Sequence, residues 1–282
     1  MTKHRPFPIP YEPRPDHDAA LNPPGFETQE QAEGELTRLV RTLEAAGETD
    51  AAKALLGCRI DQPCWRAHCP VCGRQFRRWF IAAVMDLIEN LPNTPLFIVS
   101  IIPANMAREP GELATLSLPK AKESLRRRFD RCLPPSVQVL LGIDASMNHD
   151  ETKRDESFLS HWQLHLYGVI GGVSKAELEV LHSIFPKSLA VPRPVQIKEV
   201  RNPRDLMAII SYAMKSGFTR RVSYTAPNGR IASRKVGLKA RETAELMSYL
   251  AQYRPSERLL LFRVRRWGTQ LISTVRVGEK LV

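Results

Sequence analysis

The sequence predicts an α+β fold, a small helical and cysteine-bearing module followed by a sheet that is antiparallel at its centre. Three observations carry that expectation. Apolar residues recur at helical spacing before residue 92, and four of the five cysteines fall between residues 58 and 72. From Leu96 onward, short β-rich runs alternate with helical ones. The predicted organisation is an extended Pro-rich arm over 1–26, a helical module with a cysteine metal site over 27–92, and a larger domain over 93–282.

The elements follow in order. Residues 1–26 hold seven of the 22 prolines and no apolar period, so they read as an arm. Thr28 followed by Gln31 is a capping box. Leu36, Leu39, Val40 and Leu43 then recur at helical spacing, and Gly47 ends that helix. A short helix at about Ala51–Leu56 precedes the cysteine loop, which opens into an amphipathic helix carrying Phe76, Trp79, Phe80, Ala83, Val84, Leu87 and Ile88.

Leu96–Ile102 reads as a continuous apolar strand, Pro119–Cys132 as a strongly basic helix and Val137–Met147 as a strand. The polar stretch 148–157 is a loop that joins it, as a long hairpin, to a strand over His161–Ile170. Ser174 and Glu177 cap a helix to Phe185, and Val195–Val200 is a strand. Asn202 and Pro203 start a helix through Lys215. Pro227, Asn228 and Gly229 turn a basic hairpin over Arg220–Val236. Ala240–Tyr253 is helical, and Leu259–Val264 and Leu271–Val277 are closing strands. Cys132, among apolar neighbours, reads as an inert core thiol.

The net charge is +11 at pH 7, and it is unevenly spread. Residues 1–57 carry −4 and residues 58–282 carry +15, with basic clusters at Lys120–Arg131, Lys215–Arg241 and Arg254–Arg276. Such a balance favours a polyanion, with nucleic acid first, because neutralised phosphates release condensed counterions. A merely solvated basic surface is the alternative. No run approaches the ~18–20 apolar residues of a membrane span, and the N-terminus lacks a signal-peptide apolar core. The expectation is a cytoplasmic protein with no membrane partner.

Cys58, Cys64, Cys69 and Cys72 have the spacing of a structural zinc site, with Cys69-Pro70-Val71-Cys72-Gly73 as the knuckle. Two thiolates two residues apart grip one face of a metal, and a second pair completes the S₄ shell that Zn²⁺ accepts. His68 is an alternative ligand in place of Cys58. Four protein ligands leave no open position, so this zinc is structural.

His161, Gln163 and His165 stand at i, i+2 and i+4 and share one strand face, with Trp162, Leu164 and Leu166 on the other. A polar face of two imidazoles and an amide suits a cation; the polar side of an edge strand is an equal alternative. Asp144, on the preceding strand, can add a hard oxygen for Mg²⁺ or Mn²⁺ if the strands pair. Tyr212 and Lys215 share a helix face three residues apart. A phenol beside an ammonium can attack phosphorus while the ammonium steadies phosphate charge.

In that order (apolar strand, acidic strand, polar-faced histidine strand, tyrosine helix with Lys at +3) the chain resembles the HUH endonuclease superfamily. Specifically, it resembles bacterial plasmid rolling-circle replication initiators and related transposases. The cysteine cluster ahead of Arg74, Arg77, Arg78 and Trp79 is similar to that group's zinc segment, and the likeness runs from about Cys58 to Gly217.

The resemblance implies a ferredoxin-like split βαβ domain and a DNA nicking and joining endonuclease. Tyr212 would attack a backbone phosphate to give a 5′-phosphotyrosyl link and a free 3′-OH. His165, Gln163, Asp144 and His161 would hold a catalytic Mg²⁺ or Mn²⁺, and Lys215 would match the lysine of the tyrosine motif. Gln163 stands where the family has its first histidine. DNA, as a single-stranded or hairpin origin, would be the partner, with host replication proteins besides. Tyr249 and Tyr253 have a transposase-like spacing outside the matched region and read as a helix face. Competing readings are a catalytically degenerate zinc-containing DNA-binding protein of the same fold and an RNA-binding zinc protein.

Overall fold

The capping box at Thr28 starts the first helix: the Thr28 hydroxyl accepts the Gln31 N–H, and the Gln31 carboxamide accepts the Thr28 N–H. That helix, α1 (Gln29–Ala45), buries Ala32, Leu39 and Leu43 and is followed by α2 (Thr49–Lys53). In this computed structural model the described residues are 26–91, 95–152, 160–188, 191–277 and 280–281. The Pro-rich arm therefore lies, but for Phe26, outside the described residues, as does the 153–159 part of the predicted loop.

Helix α3 (Pro70–Glu89) has Pro70 in its first turn and Cys69 as N-cap, a cap whose sulfur receives the Cys72 N–H. Strand β1 (Phe97–Ile101) and the short β2 (Ala107–Arg108) follow. Helix α4 (Leu118–Cys132) is capped by Ser117 and turns Leu118, Ala121, Leu125 and Phe129 inward. Cys132, expected in the core, is instead an exposed thiol: its spacing from Leu125 and Phe129 continues the buried stripe, but it is the last residue of α4.

Strands β3 (Gln138–Asp150) and β4 (Ser160–Gly171) form the long hairpin. Strand β3 runs to Asp150 rather than Met147: its outer residues still alternate and pair, Asn148 with His161 and His149 with Ser160. The helix capped by Ser174 comes as two short ones, α5 (Lys175–Leu178) and α6 (Leu181–Ile184). Then come β5 (Val195–Glu199), α7 (Pro203–Ala213), β6 (Thr219–Thr225), β7 (Ile231–Val236) and α8 (Ala240–Ala251). The chain closes with β8 (Leu259–Phe262), β9 (Val264–Trp267), β10 (Gln270–Ser273), β11 (Arg276–Val277) and β12 (Lys280–Leu281).

Eight strands make one mixed sheet in the order β5-β1-β4-β3-β6-β7, with β2 on β4 and β8 on β3. Neighbours from β5 to β3 are antiparallel, and β3 pairs β6 in parallel. Strands β9–β10 and β11–β12 are separate two-stranded pairs. The α+β class thus stands, with a large mixed sheet and several helices.

Alternation sorts the sheet into two faces. Phe97, Val99, Ile101, Leu141, Ile143, Trp162, Leu164 and Leu166 bury the first face in one core with residues of α4, α8 and α1. Leu140 and Val169 face the other way, into a second core with α3 and α7. Leu206, Ile209, Ile210 and Ala213, at i, i+3, i+4 and i+7, dock α7 there. Each large side chain so buried contributes about 1.5–3 kcal/mol. The approach is close: a Cβ on Gly142 would meet the Ala213 carbonyl oxygen at 1.8 Å.

Several cations of two of the three basic clusters are held by carbonyl and carboxylate oxygens. In α4, Lys122 donates to Glu257 O at 2.7 Å and Arg126 to Leu261 O at 3.3 Å. In the last cluster Arg258 is buried, Arg263 donates to Asp130 Oδ1 at 3.2 Å and Arg266 to Gly268 O at 2.8 Å. Arg74 and Arg77 are also buried, Arg77 in an ion pair with Glu27 and 4.0 Å from the Phe26 ring centroid.

Candidate functional site

The four cysteines meet. Their ligand atoms all lie within 4.8 Å of one another, with Sγ–Sγ distances of 3.5 Å for Cys58–Cys69, 3.6 Å for Cys58–Cys72 and 3.7 Å for Cys64–Cys72. A tetrahedral Zn–S shell of about 2.3 Å bonds has edges of roughly 3.7–3.8 Å, so the cluster has the size of a zinc site. Backbone N–H groups point at the sulfurs: Cys64 N to Cys58 at 3.4 Å, Trp65 N to Cys72 at 3.2 Å and Cys72 N to Cys69 at 3.5 Å. Trp65 takes φ +52° where it makes its contact. A non-glycine residue pays roughly 1–2 kcal/mol for that backbone.

Without a cation these sulfurs cannot ionise together; the neighbouring Cys58 and Cys64 sulfurs, and behind them burial, hold the Cys69 and Cys72 thiols well above the ordinary range. His68 is outside the compact group that the four cysteines form. Its Nε2 lies 3.3 Å from the Ala51 carbonyl, to which it donates, and burial lowers its pKa to about 4.

The second group lies where β3 and β4 extend past the end of α7. Asp144, Ser146 and Asn148 stand opposite His165, Gln163 and His161, so six polar side chains share the second face. Ser146 Oγ donates to Asn148 Oδ1 at 3.1 Å and therefore accepts from His165 Nε2 at 2.7 Å. Asn148 Nδ2 lies 3.3 Å from His161 Nε2, which accepts. Burial, with Arg221, Lys215 and His161 acting in the same sense and Asp144 against them, lowers the His165 pKa to about 4, so its ring is neutral at pH 7. Burial lowers that of His161 as well.

Tyr212 and Lys215 reach this face from α7 and the turn that closes it, where Lys215 N donates to Tyr212 O at 3.3 Å. Lys215 Nζ sits 2.8 Å from Asp144 Oδ2 and 5.1 Å from the Tyr212 ring centroid. Tyr212, 42% exposed, stands edge-on to Tyr167 at 4.9 Å, and its hydroxyl lies 3.5 Å from Lys235 Nζ. Tyr212, Lys215, Asp144 and His165 are thus brought together. A groove of about 870 Å³ runs along α7 to Tyr212 and Tyr167, with Lys175, Lys198 and Arg201 in its walls.

The four expected Mg²⁺/Mn²⁺ ligands do not close on one point. Among the described residues, the cysteines form the one group of three or more His, Cys, Asp or Glu donors compact enough for an ion. Gln163 is fully buried and its Nε2 donates to Pro103 O at 2.9 Å, while His161 is turned to Asn148. Two oxygens on this face, Asp144 Oδ1 and Gln163 Oε1, are buried with no hydrogen-bond partner. They are hard donors of the kind that Mg²⁺ and Mn²⁺ take, and they flank His165 in the β3–β4 register.

The sequence reading passed over Ser146, Asn148, Tyr167, Lys235 and Arg258. The first two carried a signal, since Asp144, Ser146 and Asn148 alternate just as His161, Gln163 and His165 do. Arg258 carried none. Its buried guanidinium donates from Nε to Ile143 O at 3.1 Å and from Nη2 to Lys215 O at 3.1 Å, pinning the end of α7 to β3. Tyr249 and Tyr253 are 5.3 Å apart on the other side of the sheet, and Tyr249 is buried. No family model matches the chain, and neither a curated protein nor a solved structure was found similar to it.

Proposed function

We propose that this chain is a DNA nicking and joining enzyme of the HUH endonuclease kind, acting in rolling-circle replication of a plasmid or mobile element, with Tyr212 as nucleophile. The observation that carries the reading is that Tyr212 lies beside Lys215, Lys215 pairs with Asp144, and Asp144 stands opposite His165 across the β3–β4 hairpin. Topology supports it: β1, α4, β3, β4, the α5–α6 pair and β5 follow one another as strand-helix-strand-strand-helix-strand. Their spatial order β5-β1-β4-β3, antiparallel throughout, is that of a ferredoxin-like split βαβ unit.

In the proposed step the Tyr212 oxygen attacks a backbone phosphorus, losing its proton to solvent. The P–O3′ bond breaks, the 3′ oxygen takes up a proton, and the phosphate stays on the tyrosine as a 5′-phosphotyrosyl ester. Joining is the reverse, with a 3′-OH as attacker. Lys235 and Lys215 lie where phosphate charge would gather. Asp144, Gln163 and His165 are the residues that would hold Mg²⁺ or Mn²⁺, whose chemistry is to neutralise and orient the scissile phosphate. The cysteine centre is read as structural zinc.

The test is a random-sequence single-stranded DNA library incubated with the protein and Mn²⁺. A protein–DNA adduct that survives denaturing electrophoresis, and that Tyr212→Phe abolishes, is the expected result. An adduct unchanged in Tyr212→Phe removes the tyrosine from its role.

Burial of Gln163 in place of an imidazole favours one second reading, a DNA-binding protein of this fold that does not cleave. It predicts salt-sensitive DNA binding, no adduct, and indifference to Tyr212→Phe.

A further inference from the structure

Between residues 206 and 241 the chain has eight Lys and Arg and not one Asp or Glu. Most of these cations fall on or beside the β6–β7 hairpin, the end of the sheet farthest from β5. Its base is anchored. Strand β6 pairs with β3 from Thr219 to Ser223, Glu151 N donates to Ser223 O at 2.8 Å, Val222 is buried, and Arg220 meets Glu242 at 3.4 Å.

Beyond Ser223 strand β3 has ended, and among the described residues the tip from Tyr224 to Ala232 pairs only with itself. Apart from Ala232, every residue of β7 is exposed, and Ile231 is 49% exposed. Arg221 and Arg230 form no ion pair or hydrogen bond through their side chains among the described residues, and Arg234 has only Glu151 at 3.5 Å and the Tyr224 ring at 5.4 Å.

The charges are one-signed, and that is informative. An exposed strand edge is protected from pairing by charges of either sign, whereas a ribbon of cations alone fits a polyanion. The register gives its second face Arg221, Ser223 and Thr225 beside Lys235, Ser233 and Ile231. Those are phosphate-binding and groove-edge hydrogen-bonding groups without an aromatic row, and a single strand asks for stacking surfaces. A two-stranded ribbon fits the major groove of B-DNA, and the deep, narrow one of A-form RNA excludes it.

We infer that the β6–β7 ribbon is a docking arm for duplex DNA, which sets a double-stranded flank beside the strand offered to Tyr212. The juxtaposition rests on the function proposed above, through the 3.5 Å approach of Lys235 to the Tyr212 hydroxyl. Docking itself does not require that chemistry.

The experiment measures binding of the full chain to a mixed-sequence 30-base-pair DNA duplex, its single strand and the matching RNA duplex, across salt concentration (about 6–10 phosphate contacts would fit such a length). Arg230→Ala, at the turn of the ribbon, should weaken duplex DNA binding severalfold and lower the log–log salt slope by about 1. Thr225→Glu, on the ribbon face shared with the site, should weaken it too. Adduct formation on single-stranded DNA should be unchanged in both variants.

Unaltered duplex binding, equal loss on duplex and single strand, or RNA duplex bound as tightly as DNA overturns the inference. If no variant or wild-type chain forms an adduct but duplex binding still falls, the enzyme reading fails and the docking arm stands.

Discussion

Asp144 holds two oxygens in different states: Oδ2 takes the Lys215 ammonium at 2.8 Å, and Oδ1 is buried with no partner. Both side chains are mostly buried, at 13% and 16% exposure, so removing either partner leaves the other charge uncompensated. Lys215→Met should therefore destabilise the fold by about 3 kcal/mol. Asp144→Asn combined with it should recover much of that loss, while adduct formation stays low in the double variant. Urea denaturation of the three variants checks the stability cycle, and the gel assay checks the activity. Recovery of both together would reduce the pair to a packing feature. The same residues show the limits of reading by type. Asp144 and Lys215 were each legible, but their contact was not, since it joins positions 71 residues apart through a helix end whose place depends on Arg258 and Gly142.

The elements were largely legible because local rules govern them. Both capping boxes, the Pro-led start of α7 and the apolar stripes of α1 and α4 need only neighbouring residues. What escaped was set at long range. Asn148 and His149 look like loop and become strand because β4 offers them partners, and the parallel β3–β6 pairing leaves no local pattern. Cys132 was misplaced because its spacing continues the apolar stripe of α4, whereas as the last residue of that helix it is exposed. Nothing local marks Gly142, yet its missing Cβ is what lets α7 lie on β3. Gly142→Ala should displace the end of α7 and cost about 1–3 kcal/mol, the usual penalty of overpacking. It should also reduce adduct formation although it alters no polar group of the site. Thermal melts with the adduct assay will show whether both fall; unchanged activity would mean that the helix end does not set the Tyr212 position.

At the scale of the molecule, the cysteine centre and the polar platform are joined by packing. Ala67 N donates to Tyr253 O at 2.8 Å, and Cys69, Gly73, Ser216, Phe218 and Arg258 line one cavity of about 420 Å³. The segment that leaves Lys215 therefore rests against the knuckle. The purified chain should contain one zinc per molecule by elemental analysis. Chelation or Cys72→Ser should lower its stability by several kcal/mol, structural zinc sites being worth about 10 kcal/mol or more in small domains. Adduct formation should fall with it, and a metal-free chain of unchanged melting temperature would remove the structural role.

The most direct measurement is tryptic mass mapping of the protein after reaction with single-stranded DNA, followed by nuclease digestion. The account predicts a nucleotide phosphate on the peptide spanning residues 205–215, esterified to Tyr212. A modification on Tyr167, Tyr249 or any other residue, or none at all with every DNA tried, contradicts it.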